Sequence, residues 1–180
     1  MEQVTVMDEA RMPPEADEAI RRSLCAAFTE KEAAFFAYSR AWHGSPPSYS
    51  VFLERDKRVV AHVGVVDRVV RIDGTPIRAA GVQNVFVLPE SRGGGLSGLV
   101  MNAAMREARG RGFDGGMLFC VPQIRKVYAR VGWIDLGKRE ALRIRDEETL
   151  PCPDGNVAMF FPLRISALPG GVIHLHGNDW

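Results

Sequence analysis

The stretch Val85-Phe86-Val87-Leu88-Pro89-Glu90-Ser91-Arg92-Gly93-Gly94-Gly95-Leu96-Ser97-Gly98 decides the fold. Strand formers stop at Leu88-Pro89, three glycines let the backbone turn closely, and Leu96 opens a stripe of Leu96, Leu99, Val100, Ala103, Ala104 and Ala108 at helical spacing. Strand, glycine turn and helix in that order aim consecutive N–H groups and the positive end of a helix dipole at one point. A phosphate or pyrophosphate fits there, and Arg92 adds a charge at the rim. Taken alone, such a turn reads equally well as a connector that binds nothing.

Working outward, the apolar pattern predicts an N-terminal helical layer within residues 1–45, with helices over residues 14–28 and 31–38. His43-Gly44-Ser45-Pro46-Pro47 breaks it, because two prolines remove backbone donors. A core over residues 49–145 follows, starting with strands at 49–54, 58–72 and 77–87, the last two joined by an Asp73-Gly74 turn. The helix that opens at Leu96 ends near Gly110 and Gly112. Then come a strand at 116–121, a short helix carrying Ile124, Val127, Tyr128 and Val131, and strands at 133–145 and 157–165. Residues 146–180 supply the closing strand and a tail. This order predicts a single-domain α/β fold, with a mixed, mostly antiparallel sheet flanked by helices.

The 180 residues suit one domain, and 46% hydrophobic with 25% charged residues is a globular composition. A net charge of +1, with no dense basic cluster, argues against a nucleic-acid partner. Apolar runs such as residues 63–66 are far shorter than the ~20 residues that span a bilayer. An acidic start without an apolar stretch predicts no signal peptide and a cytoplasmic protein. Cys25, Cys120 and Cys152 are widely spaced, so neither a disulfide framework nor a metal site is expected.

Two ligand classes compete for the turn. Gly93-x-Gly95-x-x-Gly98 formally matches a dinucleotide fingerprint, with Asp114 near the place of a ribose-binding acid. That reading makes the chain a nicotinamide-type oxidoreductase. It is the weaker one, because five residues separate the strand from the first glycine and the preceding strands look like an antiparallel hairpin. The stronger reading starts from Arg92-Gly93-Gly94-Gly95-Leu96-Ser97, which resembles the acetyl-coenzyme A motif of the GCN5-related N-acetyltransferases (GNAT). Ser97 stands where that motif ends in another small residue. Tyr128-Ala129-Arg130-Val131-Gly132-Trp133 is similar to the family's Tyr-x-x-x-Gly-Phe/Trp signature. Ala61-His62, Gly81-Val82-Gln83-Asn84-Val85, Arg125-Lys126-Val127-Tyr128 and Gly177-Asn178-Asp179-Trp180 resemble the aminoglycoside 2′-N-acetyltransferases within it. Gln83 departs from that subfamily's glutamate.

The resemblance implies splayed central strands, acetyl-CoA as cosubstrate and a small-molecule primary amine as acceptor, with an aminoglycoside as its narrower form and a homodimer as assembly. It places the pantetheine arm on the backbone of Val85, Phe86 and Val87, and the phosphates on Arg92, Gly93, Gly94, Gly95, Leu96, Ser97 and Gly98. Tyr128 takes the general-acid position, since a phenol with a pKa near ~10 suits proton donation to a thiolate. Gln83 and Asn84 can orient an amine but cannot titrate. Candidates for a base are His62, His174, His176, Asp179 and the carboxylate of Trp180. A tail docked through Asp179 and Trp180 is expected to contact the acceptor. A non-catalytic acyl-CoA sensor would use the same turn.

Overall fold

The computed structural model describes residues 3–153 and 155–180. The chain opens with a strand where a purely helical layer was expected: β1 (Val4–Asp8) pairs antiparallel with β2 (Tyr49–Arg55), and α1 (Pro14–Ala27) and α2 (Glu30–Phe36) follow it. Pro14 supplies the fixed φ of a first helical turn. Thr29 and Glu32 form a capping box, each side chain bonding the other's backbone N–H.

β3 (Arg58–Ile72) and β4 (Thr75–Val87) form the predicted long hairpin, with Asp73 and Gly74 at φ 47° and 79° in its turn. α3 (Leu96–Gly110) leads to β5 (Gly115–Cys120), and α4 (Arg125–Ala129) follows a single 3-10 turn. The strand expected over residues 133–145 is two pieces, β6 (Ile134–Asp135) and β7 (Ala141–Arg145). Between them Gly137 adopts φ 67°, outside the strand region. β8 (Glu148–Pro151) hairpins onto β7, β9 (Val157–Pro162) stops short of the expected 165, and β10 (Ile173–His174) ends the regular structure. Among the described residues the sheet order is β6-β9-β5-β4-β3-β10-β7-β8, with β2 and β1 added on β3.

Both faces of the centre are buried, so β3 reads almost continuously apolar from Val59 to Val66. Val63, Val65 and Ala80 face a core shared with α1 and α3, including Leu24, Val100 and Met105. Val66, Val70 and Ala79 face a second, smaller core with Ile173, Leu175 and Trp180.

Two irregularities shape the site. β4 and β5 run parallel but pair only over Ala79–Gly115, Ala80–Gly116 and Gly81–Met117, so the strands part beyond that point. In the β3–β4 ladder His62 faces Phe86 and Gly64 faces Gln83, which sets Asn84 and Val85 against Val63 alone. This is a β-bulge on β4, and Asn84 takes its left-handed φ of 54°. The parallel contact of β4 is confined to one neighbour, and its other neighbour β3 is antiparallel, which rules out the doubly wound sheet of the oxidoreductase reading.

Candidate functional site

The gap between β4 and β5 is the centre of two clefts. On the helical side a cleft of about 480 Å³ is walled by Val85, Phe86 and Val87, by the glycine turn, and by Ile124, Val127 and Tyr128 around α4. Gly93 and Gly95 have φ of 88° and 75°, and Gly95 is the N-cap of α3. No side chain caps that helix and no acid lies in its first turn, so its first N–H groups face outward unmatched by side chains. A Cβ added at Gly93, Gly94 or Gly95 would meet nothing within 4 Å, so the turn is a bare backbone cradle fitted to an anion. Arg92 donates from Nε to the Val87 carbonyl at 3.1 Å and stands at the cleft edge. Leu96 and Ser97 line the cleft, while Gly98 packs against Val131, whose Cγ1 would be 3.1 Å from an added Cβ.

The second cleft, about 350 Å³, lies in the gap itself between residues 82–85 and 118–121. Tyr128 lines both clefts and so stands at their junction. Burial raises its phenol pKa and keeps the hydroxyl protonated. Its ring meets Trp133 edge-on at 6.3 Å. Gln83 and Asn84 line the second cleft. Gln83 donates from Nε2 to the Ser45 carbonyl at 2.8 Å, and its buried Oε1 has no partner. Asn84 donates from Nδ2 to the Arg40 carbonyl at 2.8 Å. Sequence reasoning therefore brought together Tyr128, Gln83, Asn84 and the glycine turn.

The base candidates separate. His62 is fully buried, its Nδ1 2.8 Å from the Asn84 carbonyl oxygen and its Nε2 3.1 Å from Ser50 Oγ. Burial lowers its pKa to about 3, against a smaller opposing effect of the Asn84 carbonyl, so it is a neutral core residue. Since the unfolded chain's histidine titrates near 6.5, the unfolded state binds the extra proton between about pH 3 and 6.5. Stability is therefore expected to fall as pH drops through that window, with a slope approaching about 1.4 kcal/mol per pH unit. Denaturation midpoints at pH 7 and 5 should show a smaller difference in His62→Gln; an equal difference would disprove the neutral imidazole. His174 and His176 are exposed, while Ile173 and Leu175 between and beside them are buried, so the histidines point away from the site. Asp114 is no ribose ligand: its carboxylate accepts from the Arg78 N–H at 2.8 Å beside the start of β5. α3 separates it from the glycine turn, a length of about 22 Å.

The tail is docked. Trp180 is 5% exposed, lies over Gly81, where an added Cβ would come 2.5 Å from its Cε2, and donates from Nε1 to the Met117 carbonyl at 3.3 Å. It thus plugs the point where β4 and β5 part. Asp179 accepts from Arg143 at 2.7 Å and pairs with His43 Nδ1 at 2.9 Å. Although burial opposes ionisation, those two hydrogen bonds hold its carboxyl below the usual range. Arg68 bonds the Asn178 carbonyl and sits over the Trp180 ring at 5.2 Å. Asp179 is therefore already neutralised, so it does not supply the free negative charge expected of it.

Sequence reasoning missed Trp42, His43 and Phe119. Trp42 lines the second cleft, stacks on Phe36 at 5.3 Å, and carries the His43 ring at 4.4 Å. Phe119 lines it from β5. Nothing periodic marks Trp42 and His43, which sit in the proline-broken loop.

A family model described as the acetyltransferase (GNAT) domain matches residues 11–134. No curated protein matches the chain. Among solved structures, the chain resembles Escherichia coli YhbS, a GNAT family N-acetyltransferase in complex with CoA, at 16% identity and TM-score 0.64, over 97% of this chain and 89% of that one. It also resembles a GNAT family acetyltransferase from Brucella melitensis in complex with acetyl-CoA, at 20% identity and TM-score 0.60, over 97% and 96%. Escherichia coli ElaA gives 13% identity and TM-score 0.63, over 89% and 99%. At these identities the likeness is one of fold.

Proposed function

Since the chain belongs to the GNAT acetyltransferase family, we propose that it transfers an acetyl group from acetyl-CoA to a primary amine of a small molecule. The observation that carries this is that the cleft of the bare glycine cradle adjoins the strand gap, with Tyr128 lining both. YhbS and the Brucella protein, which share the fold, were crystallised with CoA and acetyl-CoA.

Acetyl-CoA supplies a thioester whose C–S bond breaks as the C–N bond to the amine forms. The turn at residues 92–98 binds phosphates through backbone N–H groups and the α3 dipole. Residues 85–87, freed from β5, offer backbone groups to the pantetheine arm and thioester carbonyl. Tyr128 gives its proton to the departing thiolate and is reprotonated by the proton that the amine nitrogen sheds on becoming an amide. Gln83, fixed by the Ser45 carbonyl, and Asn84, fixed by the Arg40 carbonyl, hold the polar side of the acceptor cleft. Apart from Tyr128, that cleft's titratable lining among the described residues is Glu32 and Cys120, whose thiol burial pushes up to about 11. A cleft of this kind favours a neutral amine by desolvation.

An aminoglycoside is the narrower acceptor reading; it rests on the sequence resemblance at residues 81–85, from which Gln83 departs, and in the tail, whereas a homodimer rests on the family resemblance alone. Calorimetry with acetyl-CoA, followed by thiol release on adding primary amines, tests the proposal. Binding with amine-dependent thiol release is expected. Binding without release from any amine would leave a sensor of acyl-CoA, and no binding would remove the cofactor assignment.

A further inference from the structure

The acceptor side of the gap is built from rings. Phe28 at the end of α1, Phe36 of α2, Trp42 of the following loop, Phe119 of β5 and Trp180 of the tail converge on it, with Tyr128 at its inner end. These come from five separated parts of the chain, and their mutual contacts fix them: Phe36 on Trp42 at 5.3 Å, Phe28 on Phe36 at 5.1 Å, Phe119 against Trp180 at 6.1 Å. Trp42, Phe119, Asn156 and Trp180 continue into a neighbouring cleft of about 450 Å³, so the ring-lined groove runs on past the gap. Each volume falls in the range of roughly 300 to 1,000 Å³ that holds a small molecule.

Charge in the groove offers a polycation no net attraction. Of the side-chain carboxylates lining this side among the described residues, Asp179 is paired with Arg143 and His43, whereas Glu32, bonded to Thr29 N–H and Oγ1 at 2.9 and 2.7 Å, keeps its charge. Glu32 and Glu140 are left, against Lys138 and Arg139. An aminosugar, polar on every side, would give up the hydration of its hydroxyl groups to ring faces that return few hydrogen bonds. A planar apolar body with one amine would stack on the rings and lose little. Gln83 Oε1, the buried side-chain acceptor without a partner among the described residues, lies on the same stretch of β4 and gives a single N–H somewhere to go.

We infer that the acceptor is a monoamine carried on a planar aromatic body. This rests on the acetyl-transfer reading and narrows it, setting aside the aminoglycoside. The test uses the full chain with acetyl-CoA and four probes: tryptamine, 2-phenylethylamine, n-butylamine and the aminosugar kanamycin. The expected kcat/KM for the two aromatic amines exceeds that for butylamine by on the order of tenfold or more, with kanamycin below both. Phe119→Leu and Phe119→Ala should raise the aromatic amines' KM progressively and shrink their advantage over butylamine. Kanamycin as the preferred acceptor, or butylamine equal to tryptamine, would overturn the inference. Direct titration of tryptamine into the CoA-bound protein, read by calorimetry, separates the two levels. Tryptamine binding without thiol release keeps the groove assignment while acetyl transfer fails, and absent binding overturns the groove assignment whatever the turnover.

Discussion

Gly95→Val is expected to weaken acetyl-CoA binding by on the order of a hundredfold, equivalent to about 2.7 kcal/mol. Two effects act together. Gly95 holds φ 75° at the N-cap of α3, a conformation in which a β-branched residue is strained by about 1–2 kcal/mol. Its Cβ position opens on free space in the cleft wall, where two methyl groups would stand between the phosphates and the first N–H groups of the helix. Strain and obstruction are separable with Gly74→Val, at φ 79° in the β3–β4 turn and likewise open around its Cβ. That variant shares the backbone penalty and should bind acetyl-CoA normally. Calorimetry on both folded variants decides, and equal affinities would remove the cradle from the cofactor site.

Tyr128→Phe should lower turnover by on the order of a hundredfold or more while acetyl-CoA affinity changes less than about twofold. The substitution removes one hydroxyl and keeps the ring that meets Trp133 and walls both clefts. Burial keeps the phenol protonated at all working pH values, so it is available as a donor and unavailable as a base. The loss should appear in kcat, with the acceptor KM nearly constant, in single-turnover kinetics where chemistry is rate-limiting. Near-normal turnover under those conditions would return Tyr128 to packing.

Much of this was legible locally. The β3–β4 hairpin and α3 were found with ends within a few residues of those observed, because periodicity 2 and 3.6 and the Asp73-Gly74 turn are properties of adjacent residues. The stretch at 133–145 was read as one strand because its apolar content is strand-like. Its break at Gly137 and the separate partners, β9 for β6 and β8 and β10 for β7, are decided by where distant strands lie. β1 was missed for the same reason: Val4–Asp8 is half-buried and becomes a strand by pairing with β2, some forty residues on.

The site divides along the same line. Glycines before a helix fix a backbone geometry within seven residues, so a bare backbone cradle, and the tyrosine that follows the next strand, were legible without the fold. It also determined that Gln83 and Asn84 carry no titratable group. The tertiary structure alone decided that β4 and β5 part after Gly81–Met117, since a gap between strands is a failure of pairing across 36 residues of chain. It decided that Asp179 is spent on Arg143 and His43, and that Trp180 fills the fork. It likewise gathered Phe28, Phe36, Trp42 and Phe119 beside Tyr128. Local backbone chemistry sets what a segment can bind, whereas the shape and charge that select an acceptor are sums over side chains whose neighbourhood exists only after folding.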